Sequence, residues 1–168
     1  MEKWNAYTRD GRLTDTVLYR GEPIPAGLYH VACEILIRHT DGDYLLMKRS
    51  VLKRDYGGMY ETGAGGAMQY GEEPTECAVR EMKEETGLDA GELIHINTKI
   101  SDESQMIVHS YLTVVDCPKD SVTLQYGETE GYKWVNEKEF IEFINSDGMI
   151  AHSRKRLENY FRSLGYIK

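Results

Sequence analysis

One 23-residue segment, residues 66–88, constrains the fold of this chain more than any other part of it. The segment reads GAMQYGEEPTECAVREMKEETGL and fits the spacing G-x5-E-x7-R-E-U-x-E-E-x-G-U, in which U is a bulky apolar residue. At average residue frequencies, a chance match in a chain of this length has a probability on the order of 10⁻⁷. Because glycine is permissive in turns and proline pre-sets a helical φ, the segment predicts a Gly-rich loop followed by a helix.

The residues after the loop predict a helix that begins at Pro74 and ends just before Gly87. Proline suits a first helical turn, where its missing N–H costs nothing, and glycine suits the far end. At 100° per residue, Glu81, Glu84 and Glu85 share an arc of about 100°. The stripe expected to face the core lies beside these acids, and its members are Thr75, Ala78, Val79, Met82 and Thr86.

Three carboxylates on one helix face repel one another unless a positive group lies among them. Arg80 offsets part of this repulsion, and Mg²⁺, which takes oxygen ligands and bridges substrate phosphates, suits the rest. A solvated charged face is the alternative interpretation of any Glu-rich helix. The fixed spacing and the Gly-rich entry favour a metal at Glu81, Glu84 and Glu85, with Mn²⁺ as a second option.

The run Gly63-Ala64-Gly65-Gly66 immediately precedes the spacing and the helix. Glycine adopts positive φ readily, so this backbone is expected to approach a ligand closely. If the φ of Gly66 is positive, an alanine there would be strained.

Length and composition limit the number of domains and the class of partner. The 168 residues, 40% of them hydrophobic, suffice for a single domain over 1–168, with an N-terminal hairpin at 1–27, the loop and helix at 66–88 and C-terminal helices at 136–168. The net charge of −8 argues against a nucleic-acid surface, and no apolar run is long enough to span a membrane. Three cysteines without metal-type spacing, and a start without an apolar signal segment, favour a cytoplasmic location.

The other segments predict a mixed β-sheet between helices, which is an α/β fold. Leu28–Arg38 and Tyr44–Lys48 are expected to form a hairpin across the turn at 41–43. The remaining expected strands are Trp4–Tyr7, Thr14–Tyr19, Met59–Thr62, Ile94–Ser101, Met106–Val115 and Tyr132–Val135. Amphipathic helices are expected around Glu137–Ile144 and Ser153–Leu164.

The spacing in residues 66–88 resembles the signature of the Nudix hydrolases, which cleave a diphosphate linked to another group, X. The resemblance implies an α/β/α sandwich and a small-molecule nucleotide or diphosphate substrate, with a homodimer left open. It also implies that Glu84, Glu85, Glu81 and the Gly65 carbonyl bind the metal, and that Glu81 combines this with water activation. Arg80 is then the side chain that orients the glutamates.

Many members of that family add a metal-binding carboxylate from a loop or strand after the helix. Glu128 and Glu130 are the candidates here, with Glu128 preferred, and solvated surface acids are the alternative interpretation. Glu72 matches a structural acid of the family that accepts hydrogen bonds.

A further resemblance, to the isopentenyl-diphosphate isomerase branch of the same fold, covers the chain more widely. It rests on Trp4-Asn-Ala-Tyr7, Arg20-Gly-Glu-Pro-Ile-Pro25, Tyr29-His30 and Leu45–Ser50. Isomerases carry a Cys-Gly-His run where this chain has Gly65-Gly66-Ala67, so both reactive side chains are absent. We therefore interpret the chain as an isomerase-like hydrolase. His30 matches an isomerase-type position, with a hydrogen-bonded core histidine as the alternative.

The implied reaction is metal-assisted substitution at phosphorus. Arg49, Lys53 and Arg54 are candidates for gripping phosphates and Tyr60 for stacking on a base, with solvated or packed side chains as the alternative. The substrate is left open among nucleoside di- and triphosphates and their sugar derivatives. A non-catalytic nucleotide-sensing module and an isomerase are the rival functions.

Overall fold

The computed structural model describes all residues, 1–168, and contains nine strands and three helices. The strands are β1 (Lys3–Thr8), β2 (Leu13–Tyr19), β3 (Leu28–His39), β4 (Tyr44–Arg49), β5 (Tyr60–Thr62), β6 (Ala64–Ala67), β7 (Ile94–Ser101), β8 (Met106–Val115) and β9 (Thr129–Val135). The helices are α1 (Pro74–Thr86), α2 (Glu137–Ile144) and α3 (Ala151–Ser163).

Strand β3 is the centre of the sheet. It pairs in parallel with β8 from His30–Met106 to His39–Val115, and β7 pairs antiparallel with the outer side of β8. On its other side β3 meets three strands in succession, all antiparallel: β1, then β6 and finally β4. A strand with neighbours on both sides and helices on both faces is expected to be apolar throughout, as the buried run Ile35–Ile37 of β3 is.

Two hydrophobic clusters cover the two faces of the sheet. Alternate residues of β3 and β4, including Val31 and Met47, point into the cluster that contains Met82 of α1. Their neighbours, including Leu36 and Leu46, point into a second cluster with residues of α2 and α3. Because side chains alternate along a strand, this arrangement follows directly from the strand pattern. The mixed sheet between helices confirms the α/β fold expected from the sequence.

Most predicted elements lie within a few residues of the observed ones. The structure differs in two places. Ala64–Ala67 was expected in a loop but forms β6, because its backbone pairs with β3 although alanine and glycine have little preference for strands. The β3–β4 hairpin was expected to pair along its length, but β3 and β4 meet at Arg38–Tyr44, since β6 then takes the place beside β3.

The N-terminal hairpin of β1 and β2 extends the sheet rather than standing apart from it. Tyr7 and Thr8 pair with Tyr29 and Leu28 of β3.

None of the three helices combines the length and the hydrophobicity that are needed to cross a lipid bilayer.

Candidate active site

Helix α1 lies against β6, and its position decides which side chains reach the site. Its buried residues are Cys77, Ala78, Met82, Glu85 and Thr86. Thr75 is exposed and Val79 is 46% exposed, so the expectation that they face the core is wrong. The buried face is rotated toward the acids because β6 presents Gly65 and Gly66, which have no side chains to hold the helix away.

The glycines of β6 matter because they allow helix α1 to approach the strand closely, and not because their backbone conformation is unusual. The φ of Gly66 is not positive, because its backbone is that of a paired strand, so the condition for strain in an alanine at this position is not met. A Cβ atom built on Gly66 would instead collide with the carboxylate of Glu81. The positive φ in this run belongs to Gly63, at 64°. Glycine at position 66 is therefore required for the space that Glu81 occupies.

Glu85 is the most deeply placed of the three helix acids, with 7% of the residue exposed. Its Oε2 accepts a hydrogen bond of 3.1 Å from the Gly65 N–H. Burial, followed by the nearby charge of Glu61, raises the pKa of Glu85 to about 8 from an ordinary value of 4.5. Burial also raises the pKa of Glu81. Glu85 has no positively charged partner that would stabilise its ionised form, whereas Arg80 offsets part of the effect of burial on Glu81.

Arg80 holds this end of the site together. Its Nε and Nη2 donate to the two oxygens of Glu72 at 2.5 and 2.9 Å, and Nη2 also donates to the Ala67 carbonyl at 3.1 Å. Its Nη1 donates to Glu81 at 2.6 Å and to Glu84 at 3.3 Å. The hydrogen bonds to Glu72 are the largest cause of the raised pKa of Arg80, and those from Arg80 lower the pKa of Glu72.

Arg80 thus brings Glu72, Glu81 and Glu84 to a single guanidinium. These contacts restrict the side-chain positions of all three glutamates.

These groups border a cavity of about 200 Å³, which we call the carboxylate cavity. Its lining includes Gly65, Gly66, Arg80, Glu81, Glu84, Glu85, Lys53, Gln125, Glu128, Glu2 and Arg20. The acidic side chains that line it would bind a metal through oxygen atoms, which are the ligands that a hard divalent cation such as Mg²⁺ requires. No three His, Cys, Asp or Glu side chains are arranged as a preformed metal centre. Two of the acids, Glu81 and Glu84, are instead drawn to Arg80.

One further observation indicates that these residues suit a divalent cation. Glu85 is a buried and Glu81 a partly buried carboxyl, and both have raised pKa values beside a strand that has no side chains at Gly65 and Gly66. A cation placed there would offset the desolvation that raises both pKa values.

The structure separates the two acids that follow the helix. Glu128 borders the carboxylate cavity, where it is paired with Lys53. Glu130 pairs with Lys48 at 2.8 Å and accepts a hydrogen bond of 3.0 Å from the Val51 N–H. Only Glu128 is therefore near the helix acids.

The four candidate substrate residues do not all lie together. Lys53 borders the carboxylate cavity. Arg49 lies in a second cavity beyond β6, where it pairs with Glu61 at 2.9 Å. Arg54 is exposed on the loop after β4. Tyr60 packs on the cluster formed by α2 and α3, with the Lys133 ammonium 4.4 Å from its ring centre. Neither Arg54 nor Tyr60 borders the carboxylate cavity.

The sequence did not identify the charged cavity residues Glu2 and Arg20, which lie at the ends of the N-terminal hairpin, or the neutral Gln69 and Gln125. Arg20 Nη1 donates to Glu2 Oε2 at 2.8 Å, and the other oxygen of Glu2 accepts from the Trp4 indole N–H at 2.8 Å. The pKa of Arg20 is raised by Glu2 first and by Glu128 and Glu81 as well. The sequence signal was present, since Trp4 and Arg20 belong to the segments that carry the isomerase-branch resemblance.

Comparison with known proteins identifies the family of the chain. A family model described as the NUDIX domain matches residues 28–159. An uncharacterized Nudix hydrolase of Listeria innocua is 28% identical over 149 residues, which cover 88% of this chain and 87% of that protein.

Two further similarities concern the branch and the fold. An isopentenyl-diphosphate Delta-isomerase of Corynebacterium diphtheriae is 25% identical over 127 residues, covering 70% of this chain and 69% of its own. The crystal structure of a MutT protein from Methanosarcina mazei superposes with a TM-score of 0.63 at 26% identity, covering 81% of this chain and 95% of that one.

Proposed function

The chain belongs to the Nudix hydrolase family, and on that basis we propose that it is a Mg²⁺-dependent enzyme that cleaves the diphosphate linkage of a nucleoside di- or triphosphate or a nucleotide derivative. Nudix hydrolases generally use divalent metal ions. The observation that carries the proposal is the packing of Glu81 and Glu85 against the side-chain-free strand at Gly65 and Gly66. Burial of Glu85 and partial burial of Glu81 disfavour their ionised forms, and a bound cation would stabilise those forms.

The metal would be held by Glu81, Glu84 and Glu85 and by the Gly65 carbonyl, with Glu128 as a further ligand. When bound, Mg²⁺ supplies charge neutralisation of the diphosphate and lowers the pKa of an attacking water. Mn²⁺ has the same oxygen-ligand chemistry and is an alternative. Glu128 is paired with Lys53 in this structure, and it would be available to the metal if Lys53 instead paired with a substrate phosphate.

The chain's own residues then have distinct tasks. Glu81 accepts the proton of the attacking water on the carboxylate oxygen that is not bonded to Arg80. Arg80 fixes the orientation of Glu81, and Glu72 fixes Arg80 through two hydrogen bonds. Lys53 and Arg20 face the cavity as cations, where they offset the repulsion between its acids and a polyanionic substrate.

The experiment is a substrate panel with Mg²⁺ or Mn²⁺, read by phosphate release and by the masses of the products. We expect turnover that disappears with a chelator and falls at least 100-fold in Glu84→Gln and Glu85→Gln, because one metal ligand is removed. Glu76→Gln on the exposed side of α1 is the matched control, since glutamine can still cap the helix through the Glu73 N–H. Near wild-type rates in either ligand variant at saturating Mg²⁺ would disprove the metal assignment.

The two rival functions make different predictions in the same panel. A nucleotide sensor would bind under Mg²⁺ without turnover. An isomerase would interconvert isopentenyl and dimethylallyl diphosphates, although Gly65 and Ala67 occupy the positions of its reactive cysteine and histidine.

A cytoplasmic location is also part of the proposal, supported by three cysteines that are all free thiols.

A further inference from the structure

One edge of the sheet carries two histidines that stand apart from the carboxylate cavity. Strand β7 is an edge strand, since it pairs with β8 and with no other strand. His95 lies on β7 and His109 on β8, and neither borders the carboxylate cavity or the second cavity beyond β6. The proposed hydrolysis does not use these side chains.

A β-bulge in β7 brings the side chains of this group to one face of the sheet. His95 is opposite Tyr111 and Thr98 is opposite His109, so three steps along β7 match two steps along β8. In a regular strand, residues three positions apart point to opposite faces. The extra residue reverses this, so that His95 and Thr98 share the face of His109 and Tyr111. Bulges that re-aim a side chain are over-represented at sheet edges and next to functional sites.

Two imidazole nitrogens converge on one point of this face. His95 Nε2 lies 2.9 Å from Thr98 Oγ1, and His109 Nδ1 lies 3.2 Å from the same atom. The two ring centres are 5.7 Å apart, and Tyr111 makes an edge contact with the His95 ring at 5.5 Å between centres. A hydroxyl has one proton to donate, so it serves one nitrogen as donor and the other as acceptor. Both rings are thus held by their nitrogen atoms around a single oxygen.

A metal ion at this point would require only small movements of the two rings. Imidazole nitrogen binds Zn²⁺ at about 2.0–2.1 Å. An ion in the position of the Thr98 oxygen would therefore draw each nitrogen inward by about 1 Å. His95 is exposed and His109 is partly buried, so side-chain rotation can supply this movement and water can reach the ion.

The ring of His109 is in the form that binds metals. Burial, followed by the neighbouring His95, lowers the pKa of His109, so the ring keeps a lone pair at neutral pH. Neither ring of this group is paired with a carboxylate, whereas His39 elsewhere in the chain pairs with Asp41 at 2.9 Å. No acid therefore holds either ring in its protonated form.

We propose that His95 and His109 form a binding site for a divalent transition-metal ion of the Zn²⁺, Ni²⁺ or Cu²⁺ class, which clips the edge strand β7 to β8. No cysteine or acid joins them as a third ligand, so water or the Thr98 hydroxyl completes the coordination. Imidazole suits these ions, whereas Mg²⁺ prefers oxygen ligands, which makes the site chemically distinct from the helix acids. With two protein ligands, the ion is exchangeable and stabilises the fold according to its concentration.

The first test adds Zn²⁺ to the wild-type chain in excess Mg²⁺, which occupies the helix acids. In ¹H–¹⁵N NMR spectra of the histidine side chains at neutral pH, we expect Zn²⁺ to shift the signals of His95 and His109 together, with saturation at one ion per chain. The signals of His39 and His152 are internal references and should not move. Unmoved signals of His95 and His109, or equal shifts of all the histidines, would overturn the proposal.

Variants remove the two ligands one at a time. His95→Gln and His109→Gln keep a polar side chain near Thr98 but lose the imidazole nitrogen. For each we expect the Kd for Zn²⁺, measured by titration calorimetry in excess Mg²⁺, to rise by about tenfold or more. His152→Gln on α3 is the matched control, because His152 contacts Tyr56 and not this group, and its Kd should equal that of the wild type. An unchanged Kd in both ligand variants would show that the pair does not bind the ion.

Thermal stability separates this site from the helix acids. Zn²⁺ should raise the Tm of the wild type and of Glu85→Gln alike, and this rise should be absent in His95→Gln. A rise that is lost in Glu85→Gln and kept in His95→Gln would assign the zinc to the helix acids and overturn the proposal. The wild-type NMR titration needs no substitution, so it decides the outcome if replacement of the partly buried His109 impairs folding.

Discussion

At the scale of single residues, the requirements of folding and of chemistry conflict most directly at Glu85. A carboxyl that is 7% exposed, with one backbone N–H and no cation as partner, is costly to ionise. Its position could not be predicted from helical periodicity, which placed the acids beside the buried face rather than in it. Which face of α1 is buried depends on Gly65 and Gly66 of β6, which have no side chains. These residues lie outside the helix sequence.

The pKa of Glu85, raised from 4.5 to about 8 by burial, predicts a pH-dependent stability of the metal-free protein. The folded state holds the proton more tightly than the unfolded state, so the stabilisation is complete below about pH 4.5 and is lost as the pH rises toward 8. In Glu85→Gln this titration is absent. With a chelator present, we expect the Tm of the wild type to fall relative to that of the variant across this range.

Two controls separate this effect from others. Saturating Mg²⁺ should remove most of the difference, because a cation stabilises the ionised carboxyl. Tm curves for wild type and Glu85→Gln that stay parallel over the range would contradict the buried, proton-binding state of Glu85.

Gly66 predicts a loss of activity without a comparable loss of stability. In Gly66→Ala the new methyl group takes the place of the Glu81 carboxylate, the movable end of a flexible side chain. We expect kcat to fall by about 10- to 100-fold, with a free energy of unfolding changed by about 1 kcal/mol or less. Gly131→Ala in β9, where a Cβ would be 3.6 Å from its nearest neighbour, is the control for an alanine in a strand. A drop in Tm that accounts for the whole loss of activity would contradict this reading.

At the scale of secondary structure, elements that depend on neighbouring residues can be predicted from the sequence, whereas elements that depend on distant pairing cannot. Helix α1 was predicted to its ends because Pro74 and Gly87 act locally, and Gly87 takes the left-handed conformation of a C-cap, with φ at 73°. Strand β6 was not predicted, since only its pairing with β3 makes Ala64–Ala67 a strand. The contribution of the N-terminal hairpin to the site depends on pairing that no local pattern displays.

The position of Arg20 at the end of the N-terminal hairpin predicts that this residue contributes to substrate affinity. Its guanidinium lies in the carboxylate cavity and is held by Glu2 at 2.8 Å. In Arg20→Gln we expect KM for a diphosphate substrate to rise about tenfold with little change in kcat, because one cation that offsets the acids is lost. The free energy of unfolding should change by less than about 1 kcal/mol, since the pair is partly exposed.

Arg12, in the turn just before strand β2 and paired with Asp10 in solvent, provides the comparison. Arg12→Gln should leave KM unchanged, and both effects should be measured at two salt concentrations. A KM for Arg20→Gln that matches the wild type at low salt would remove Arg20 from the substrate site.

At the scale of the whole molecule, the family resemblance and the fold could be derived from one segment, but the shape of the site could not. The residues that form the two cavities meet only in the folded chain, and they come from β3, β4, β5, β6, β8, α1, α3, the two ends of the N-terminal hairpin and the loops after β4 and before β9. A reaction that needs a different pocket is therefore not restored by a few side chains.

The predicted test is the double substitution Gly65→Cys with Ala67→His, which restores the reactive pair of the isomerase branch. A Cβ on Gly65 would lie 2.6 Å from the Cys33 carbonyl oxygen, so the strand must shift to accept it. We expect weaker hydrolysis and no interconversion of isopentenyl and dimethylallyl diphosphates by NMR, because isomerisation needs proton transfer at carbon in a dry, closely fitted pocket. Isomer formation by the unmodified protein would overturn the hydrolase interpretation.

The parallel pairing of β3 with β8 has a consequence for the order in which the molecule assembles. The two strands are separated along the chain by β4, β5, β6, α1 and β7, so their contact closes a long loop. Loop closure of this kind slows folding, whereas the β1–β2 hairpin and helix α1 can form locally and early. The floor of the second cavity, which both strands share, is complete only when that loop closes. In refolding, far-ultraviolet ellipticity should therefore recover before catalytic turnover does.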